Sequence, residues 1–239
     1  MKKMLALLLA VSMLVGLLPT FALAADTGMK ADKTYIVLAP GNFTDNGAWT
    51  IEKENNSGIS YMIAGKDKRP KASQPATISV VFPKAGKYKV YALSRDYATN
   101  GGSRYYDVKV GTNTFRMGDH AKDGWFWQAS ETFSVLPGEE LVSVVDVAGN
   151  YARCAVLVIT DDLDYKAGTT KEDIEQIAEK QYKVGDIKID DSSLPSGRPQ
   201  SDIAVCLNGE WMKFDVDPIL LNDRTMVPFR AIFEALGCT

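Results

Sequence analysis

Period-two alternation governs this chain. Between Tyr35 and about Asp162 apolar and polar residues exchange every second position in one short run after another, and no helical period of useful length interrupts them. Thr77 to Phe82 places Ile78, Val80 and Phe82 on one face; Lys87-Tyr88-Lys89-Val90 alternates strictly. Arg104 to Val110 points Tyr106, Val108 and Val110 inward and Tyr105, Asp107 and Lys109 outward. Further runs cover Glu131 to Leu136, Glu140 to Val147 and Arg153 to Thr160. Between them stand Pro83-Lys84-Ala85-Gly86, Thr99-Asn100-Gly101-Gly102 and Pro137-Gly138, residues that supply turn geometry. Many short strands without crossover helices specify a mainly β fold, an antiparallel, jelly-roll-like β-sandwich over residues 33–164.

After Asp164 the pattern changes. Residues 165–201 read as a charged linker holding one short helix, Lys171 to Tyr182, with Ile174, Ile177 and Ala178 as its apolar stripe and Thr170-x-x-Asp173 as a cap-like start. Asp190 to Asp202 is polar and rich in Pro, Gly and Ser. Residues 202–239 form a small α+β segment. Ile203, Val205 and Leu207 alternate, Asn208-Gly209 is a two-residue hairpin signal, and Trp211 to Phe214 makes the return strand. Arg224 to Val227 reads as a further strand. Pro228 then opens a helix carrying Phe229, Ile232, Phe233 and Leu236 on one stripe, and Gly237 closes it. These elements are too few to close a core, so the chain is expected to be a fragment that stops inside its second domain.

The first 25 residues read as a signal peptide: Lys2 and Lys3, a 15-residue apolar stretch from Met4 to Leu18, and Ala22-Leu23-Ala24 as a small-x-small cleavage site. The apolar stretch is too short to span a bilayer comfortably. The protein is therefore expected outside the cell or on its surface, with no membrane association after cleavage. Its 239 residues carry 27 Lys and Arg against 30 Asp and Glu. Loss of Lys2 and Lys3 leaves 25 basic against 30 acidic residues and a net charge of −5, which gives no footprint for nucleic acid. A single histidine, His120, rules out a histidine-rich metal centre. It sits in a polar loop, Met117 to Gly124, and no Gly-x-Ser-x-Gly elbow accompanies it, so it reads as a solvated residue rather than a catalytic base. Of the three cysteines, Cys154 reads as a small buried hydrophobe, while Cys206 and Cys238 are free to pair or not. No Cys-x-x-Cys, metal or cofactor motif is present, and no catalytic residue is assigned.

Two resemblances follow from these residues. Val205 to Gly209, Phe214-Asp215-Val216-Asp217-Pro218 and Asn222 to Gly237 closely resemble the copper amine oxidase N-terminal-like repeat, also called a stalk domain. The resemblance implies a non-catalytic spacer of secreted and wall-associated proteins. It implies no copper, since the metal and cofactor tyrosine of amine oxidases belong to another domain. Gly47-Ala48-Trp49-Thr50, Phe82 to Val90, and Trp125 to Phe133 with Gly138 and the run to Ile159 resemble a carbohydrate-binding β-sandwich of the golvesin and xanthan-lyase kind. That likeness implies a polysaccharide or cell-wall glycan as partner. Tyr35 to Pro40 has no acid, in contrast to the Glu-rich first strand of related calcium-dependent sugar modules.

Sugar recognition needs flat aromatics for pyranose C–H faces and amide, carboxylate or guanidinium groups for hydroxyls. The loop set Arg95, Tyr97, Asn100, Arg104 and Tyr105 offers both, as do Asn150 and Tyr151 in the last loop; a sandwich can bring these two loops to one end. Trp125 and Trp127 share one strand face, Phe126 the other. At least one of these tryptophans is expected inside the sandwich, as is Trp49, and Trp125 is also a ligand candidate. The expected function is a secreted, non-catalytic surface protein that binds polysaccharide. Two alternatives are an accessory region of a lyase or hydrolase whose catalytic domain lies beyond residue 239, and a purely structural surface protein.

Overall fold

A computed structural model describes residues 27–185, 187–190, 197, 199, 203–207, 210–221 and 224–237. The signal peptide, most of the 190–202 linker, the Asn208-Gly209 hairpin tip and the Cys206–Cys238 pairing lie outside the described residues. Among the described residues, no helix is long and apolar enough to cross a membrane.

Eleven strands build the sandwich: β1 (Tyr35–Leu38), β2 (Thr50–Lys53), β3 (Ser60–Ile63), β4 (Ala76–Phe82), β5 (Gly86–Asp96), β6 (Tyr106–Val110), β7 (Asn113–Met117), β8 (Gly124–Ala129), β9 (Phe133–Val135), β10 (Gly138–Asp146) and β11 (Arg153–Thr160). All pair antiparallel. The larger sheet runs β2-β3-β11-β5-β8, with β1 added to β11 and β9 to β5; the smaller runs β4-β10-β6-β7. The alternation seen in the sequence is the alternation of faces. Ile78, Val80 and Phe82 of β4, Val142 and Val144 of β10, and Tyr106, Val108 and Val110 of β6 point inward. They meet Tyr88, Val90, Ala92, Leu157 and Ile159 of the larger sheet. Trp49 joins this core as expected. It is buried, its ring stands edge-on to Tyr106 with centroids 5.7 Å apart, and its Nε1 donates to the Val144 carbonyl. Cys154 is buried there as a free thiol.

The larger sheet is covered on both faces, which alternation alone does not reveal. In β11 a bulge between Cys154 and Val156 shifts the register. Cys154, Leu157 and Ile159 face the inter-sheet core, while Ala155, Val156 and Val158 face a second apolar cluster. Helix α1 (Lys171–Glu179) covers that cluster. Thr170 accepts from the Asp173 amide at 3.1 Å and Asp173 accepts from the Thr170 amide at 3.1 Å, a reciprocal cap that fixes where the helix starts. The helix turns Ile174 and Ile177 onto the sheet. Full burial of a side chain such as Ile177 contributes roughly 1.5–3 kcal/mol. The helix expected within a charged linker is thus a packed layer of the sandwich. The chain stays attached beyond it: the Tyr182 amide donates to Val37, the Tyr182 hydroxyl accepts from the Val81 amide, and the Asp190 amide donates to Pro83, beside the start of β5.

The carboxy-terminal elements are small. β12 (Cys206–Leu207) pairs with β13 (Glu210–Trp211), and β14 (Ile219–Leu221) pairs with β15 (Arg224–Met226). Helix α2 (Phe229–Ala235) follows Pro228 and contains no buried residue; Phe229 and Phe233 contact each other edge-on at 5.9 Å.

Candidate functional site

Toward the Asp96 end of β5 the outer face of the larger sheet carries polar side chains beside its apolar cluster. Residues alternate along β5 so that Tyr91 and Leu93 lie under the second layer while Arg95 emerges past it. The β5–β8 register sets Arg95 opposite Trp125 and Leu93 opposite Trp127. Trp125 stands beside Tyr61 of β3 with ring centroids 5.3 Å apart, and its Nε1 donates to Glu54 Oε2 at 3.0 Å. Arg95 pairs with Glu54 and donates through Nε to the Tyr97 hydroxyl at 2.9 Å. Glu52 lies opposite Tyr61 and accepts from its hydroxyl at 3.0 Å, with Lys66 also bound to it. Three guanidinium groups surround the Tyr97 ring: Arg104 at 4.7 Å, Arg95 at 4.9 Å and Arg153 at 5.5 Å from its centroid.

A buried carboxylate shapes the loops. Asp96, at the end of β5, has no solvent exposure and accepts from the amides of Gly102 at 2.8 Å and Ala121 at 2.9 Å and from Arg104 Nη1 at 3.1 Å. It therefore ties the β5–β6 loop to the β7–β8 loop. Burial alone would raise its pKa; hydrogen bonds from the amides of Gly102, Tyr97 and Ala121 and from Arg104 outweigh that and hold it below the usual carboxylate range. Glu54 follows the same logic. Burial opposes its charge, yet hydrogen bonds from Ser57 and Trp125 and the charges of Arg95 and Arg153 hold it low. Glu52 is held low first by Lys66, against a smaller burial penalty, then by Tyr61. The Tyr61 hydroxyl moves up through burial and the neighbouring Glu52 carboxylate.

The structure brings together Arg95, Tyr97, Arg104 and Trp125 from the sequence reading. It also puts the two candidate loops at one end: Asn150 Nδ2 donates to Ser103 Oγ at 2.9 Å, and Arg153 Nη1 donates to the Tyr151 carbonyl at 2.9 Å. Two candidates separate from the group. Tyr105 faces the outside of the smaller sheet, stacked under Arg116 at 4.3 Å. Asn100 contributes its carbonyl to Arg104 from a turn in which its own φ is +55°. The expectation of a tryptophan from β8 inside the sandwich fails. Trp125 and Trp127 both lie on the outer face, half-buried against the second cluster, because that face has an apolar layer of its own. His120 is half-buried rather than solvated: Nδ1 accepts from the Lys122 amide, Nε2 lies 3.2 Å from the Ser94 carbonyl, and the ring packs on Phe126. Glu52, Glu54, Tyr61 and Arg153 were missed. Asn55-Asn56-Ser57-Gly58 between two short polar runs was the available signal for the β2–β3 hairpin that supplies three of them.

Among the described residues no group of three or more His, Cys, Asp or Glu side chains could hold a metal. The carboxy-terminal segment has no histidine at all, so its residues do not fit a copper centre.

Residues 206–239 match the family described as copper amine oxidase N-terminal domain, as their motifs anticipated. No curated protein matches the chain. Among solved structures, a GH26-CBM35 β-(1,4)-mannanase of Podospora anserina is similar at 13% identity and a TM-score of 0.42, over 52% of this chain and 27% of that one. The C-terminal CBM6 of LamC, a marine laminarinase of Zobellia galactanivorans, is similar at 13% identity and a TM-score of 0.41, over 54% of this chain and 100% of the module. A family 35 carbohydrate-binding module of Clostridium thermocellum is similar at 12% identity and 0.39, over 53% and 97%. This chain thus spans about a quarter of the mannanase's length and most of the isolated modules.

Proposed function

We propose that this protein is exported and binds polysaccharide without cleaving it, through the Asp96 end of the larger sheet's outer face, while the segment matched at residues 206–239 acts as a spacer. The observation that carries this reading is the fixed Trp125 ring. Its edge is held by Glu54 and its flank by Tyr61, so the aromatic surface is set before any ligand arrives. A preset ring costs little ordering on binding, and its face suits the C–H surface of a pyranose. Guanidinium and carboxylate groups of Arg95, Arg153, Glu52 and Glu54 border it and can exchange hydrogen bonds with hydroxyls.

Charge states favour binding over cleavage. Glycoside hydrolysis by a carboxyl pair needs one member kept protonated as the general acid. Glu52 and Glu54 are both held below the usual range, so neither donates a proton near neutral pH.

The test is retention on a panel of insoluble and arrayed polysaccharides with the full chain and with Trp125→Ala, checked for folding by its melt. Loss of the half-buried ring should weaken retention at least ~10-fold. Absence of retention on every polymer, or equal retention by Trp125→Ala, would overturn the reading.

A further inference from the structure

We infer that the polymer recognised at this site is anionic, a glycan whose sugars carry a carboxylate or an equivalent negative substituent. This rests on the glycan reading above and adds a charge requirement to it. Arg95 comes from β5, Arg104 from the loop before β6 and Arg153 from the start of β11, and all three converge on Tyr97. Guanidinium groups do not deprotonate in proteins, so three permanent charges share one small volume. Ion pairs balance two of them and leave the third. Arg104 is met by Asp96, which is fully buried and already committed to loop amides. Arg95 is met by Glu54, and Lys66 by Glu52. Arg153 has no ion pair within 4.0 Å among the described residues; its contacts are the Tyr151 carbonyl and the Tyr61 hydroxyl, with Glu52 and Glu54 acting only across space.

Arg95, Arg104 and Lys66 each meet one carboxylate, and Arg153 is the cation among these four left without an ion pair, on a chain that is negative as a whole. The hydrogen bonds described for Arg95 and Arg104 use Nε and Nη1, whereas each guanidinium has five donors. A planar fork of this kind matches a carboxylate or sulfate edge, two bonds at a time, and a neutral hydroxyl does not offset its charge. Tyr97 is consequently a spacer that holds the guanidinium groups apart on its ring, and the stacking surface belongs to Trp125 and Tyr61.

The experiment uses matched polymers. Binding of the full chain is measured on de-esterified polygalacturonate and on the same polymer fully methyl-esterified, then on a sulfated galactan and its desulfated form. The charged member of a pair should bind at least ~10-fold tighter in low salt and lose that advantage in high salt. The pair that shows the difference identifies carboxylate or sulfate as the substituent. Arg153→Gln should remove the difference, while Arg116→Gln on the other sheet should leave it. Equal binding of charged and neutral forms by the unaltered protein overturns the charge requirement and leaves the glycan reading standing; binding to no member of either pair also overturns the charge requirement, and the polymer panel above then decides the glycan reading.

Discussion

Replacing Asp96 with Asn preserves shape and removes charge at the point where two loops are tied. The carboxylate, itself fully buried, receives two amide N–H groups at 2.8 and 2.9 Å and Arg104 Nη1 at 3.1 Å. Both amides bind the same oxygen, Oδ2, while Arg104 binds Oδ1, so an asparagine that keeps the amides must turn its NH2 toward the Arg104 guanidinium, donor against donor. It also leaves Arg104, only 15% exposed, without its counter-charge. Orphaning one partner of a buried ion pair costs about 3–5 kcal/mol. For a domain of this size each kcal/mol moves the melting temperature by roughly 2–4 °C, so the expected drop is about 6–20 °C at neutral pH. The effect has a signed pH dependence. Asp96 is held below its ordinary pKa in the folded state, so its contribution is present above the unfolded carboxyl range and disappears as pH falls through the folded value. The gap between Asp96→Asn and the unaltered protein should narrow on acidification. Calorimetric melts at neutral and strongly acidic pH measure both quantities. A melting point within about 2 °C at neutral pH, or a gap that widens in acid, would refute the claim that this charge locks the loops.

Two further outcomes follow from the same physics. Asp146 is fully buried, with Oδ1 accepting from Gly149 at 2.9 Å and Oδ2 without a hydrogen-bond partner among the described residues, and burial pushes its pKa up. Its ionisation penalty grows as pH rises from the unfolded value through the folded one, so Asp146→Asn should melt higher than the unaltered protein at pH 7 and alike in acid. Thr170→Ala removes the side-chain half of the α1 cap and should cost about 1 kcal/mol, seen as a drop of about 2–4 °C with protection from amide exchange lost first over residues 171–177.

Strands were legible where one face is wet. Ile78, Val80 and Phe82 alternate with half-exposed partners, and β4 lies where that pattern puts it. The capping residues of α1 and the stalk motif were equally readable, because each is a local arrangement of neighbours in sequence. Trp125 and Trp127 show the limit. Apolar character says that a face is buried, but not which of two layers buries it, and here α1 and residues 165–167 give the outer face a cover of its own. The site itself was half visible. Arg95, Tyr97 and Arg104 lie within ten residues of one another. Glu54, Tyr61 and Arg153 join them only through strand register, which depends on the pairing of β3 with β11 and β11 with β5.

The attachment of Asp190 beside Pro83 puts the exit of the chain at one end of β5 and the Arg95 cluster at the other. Eleven residues at about 3.3 Å each separate them by about 35 Å. A load applied between the Arg95 cluster and Asp190 would thus run lengthwise along β5. The rungs joining it to β11 and β8 stand across that direction, so they would resist together, in shear, instead of opening one after another like a zip. That geometry resists extension along β5 more than peeling at its edge.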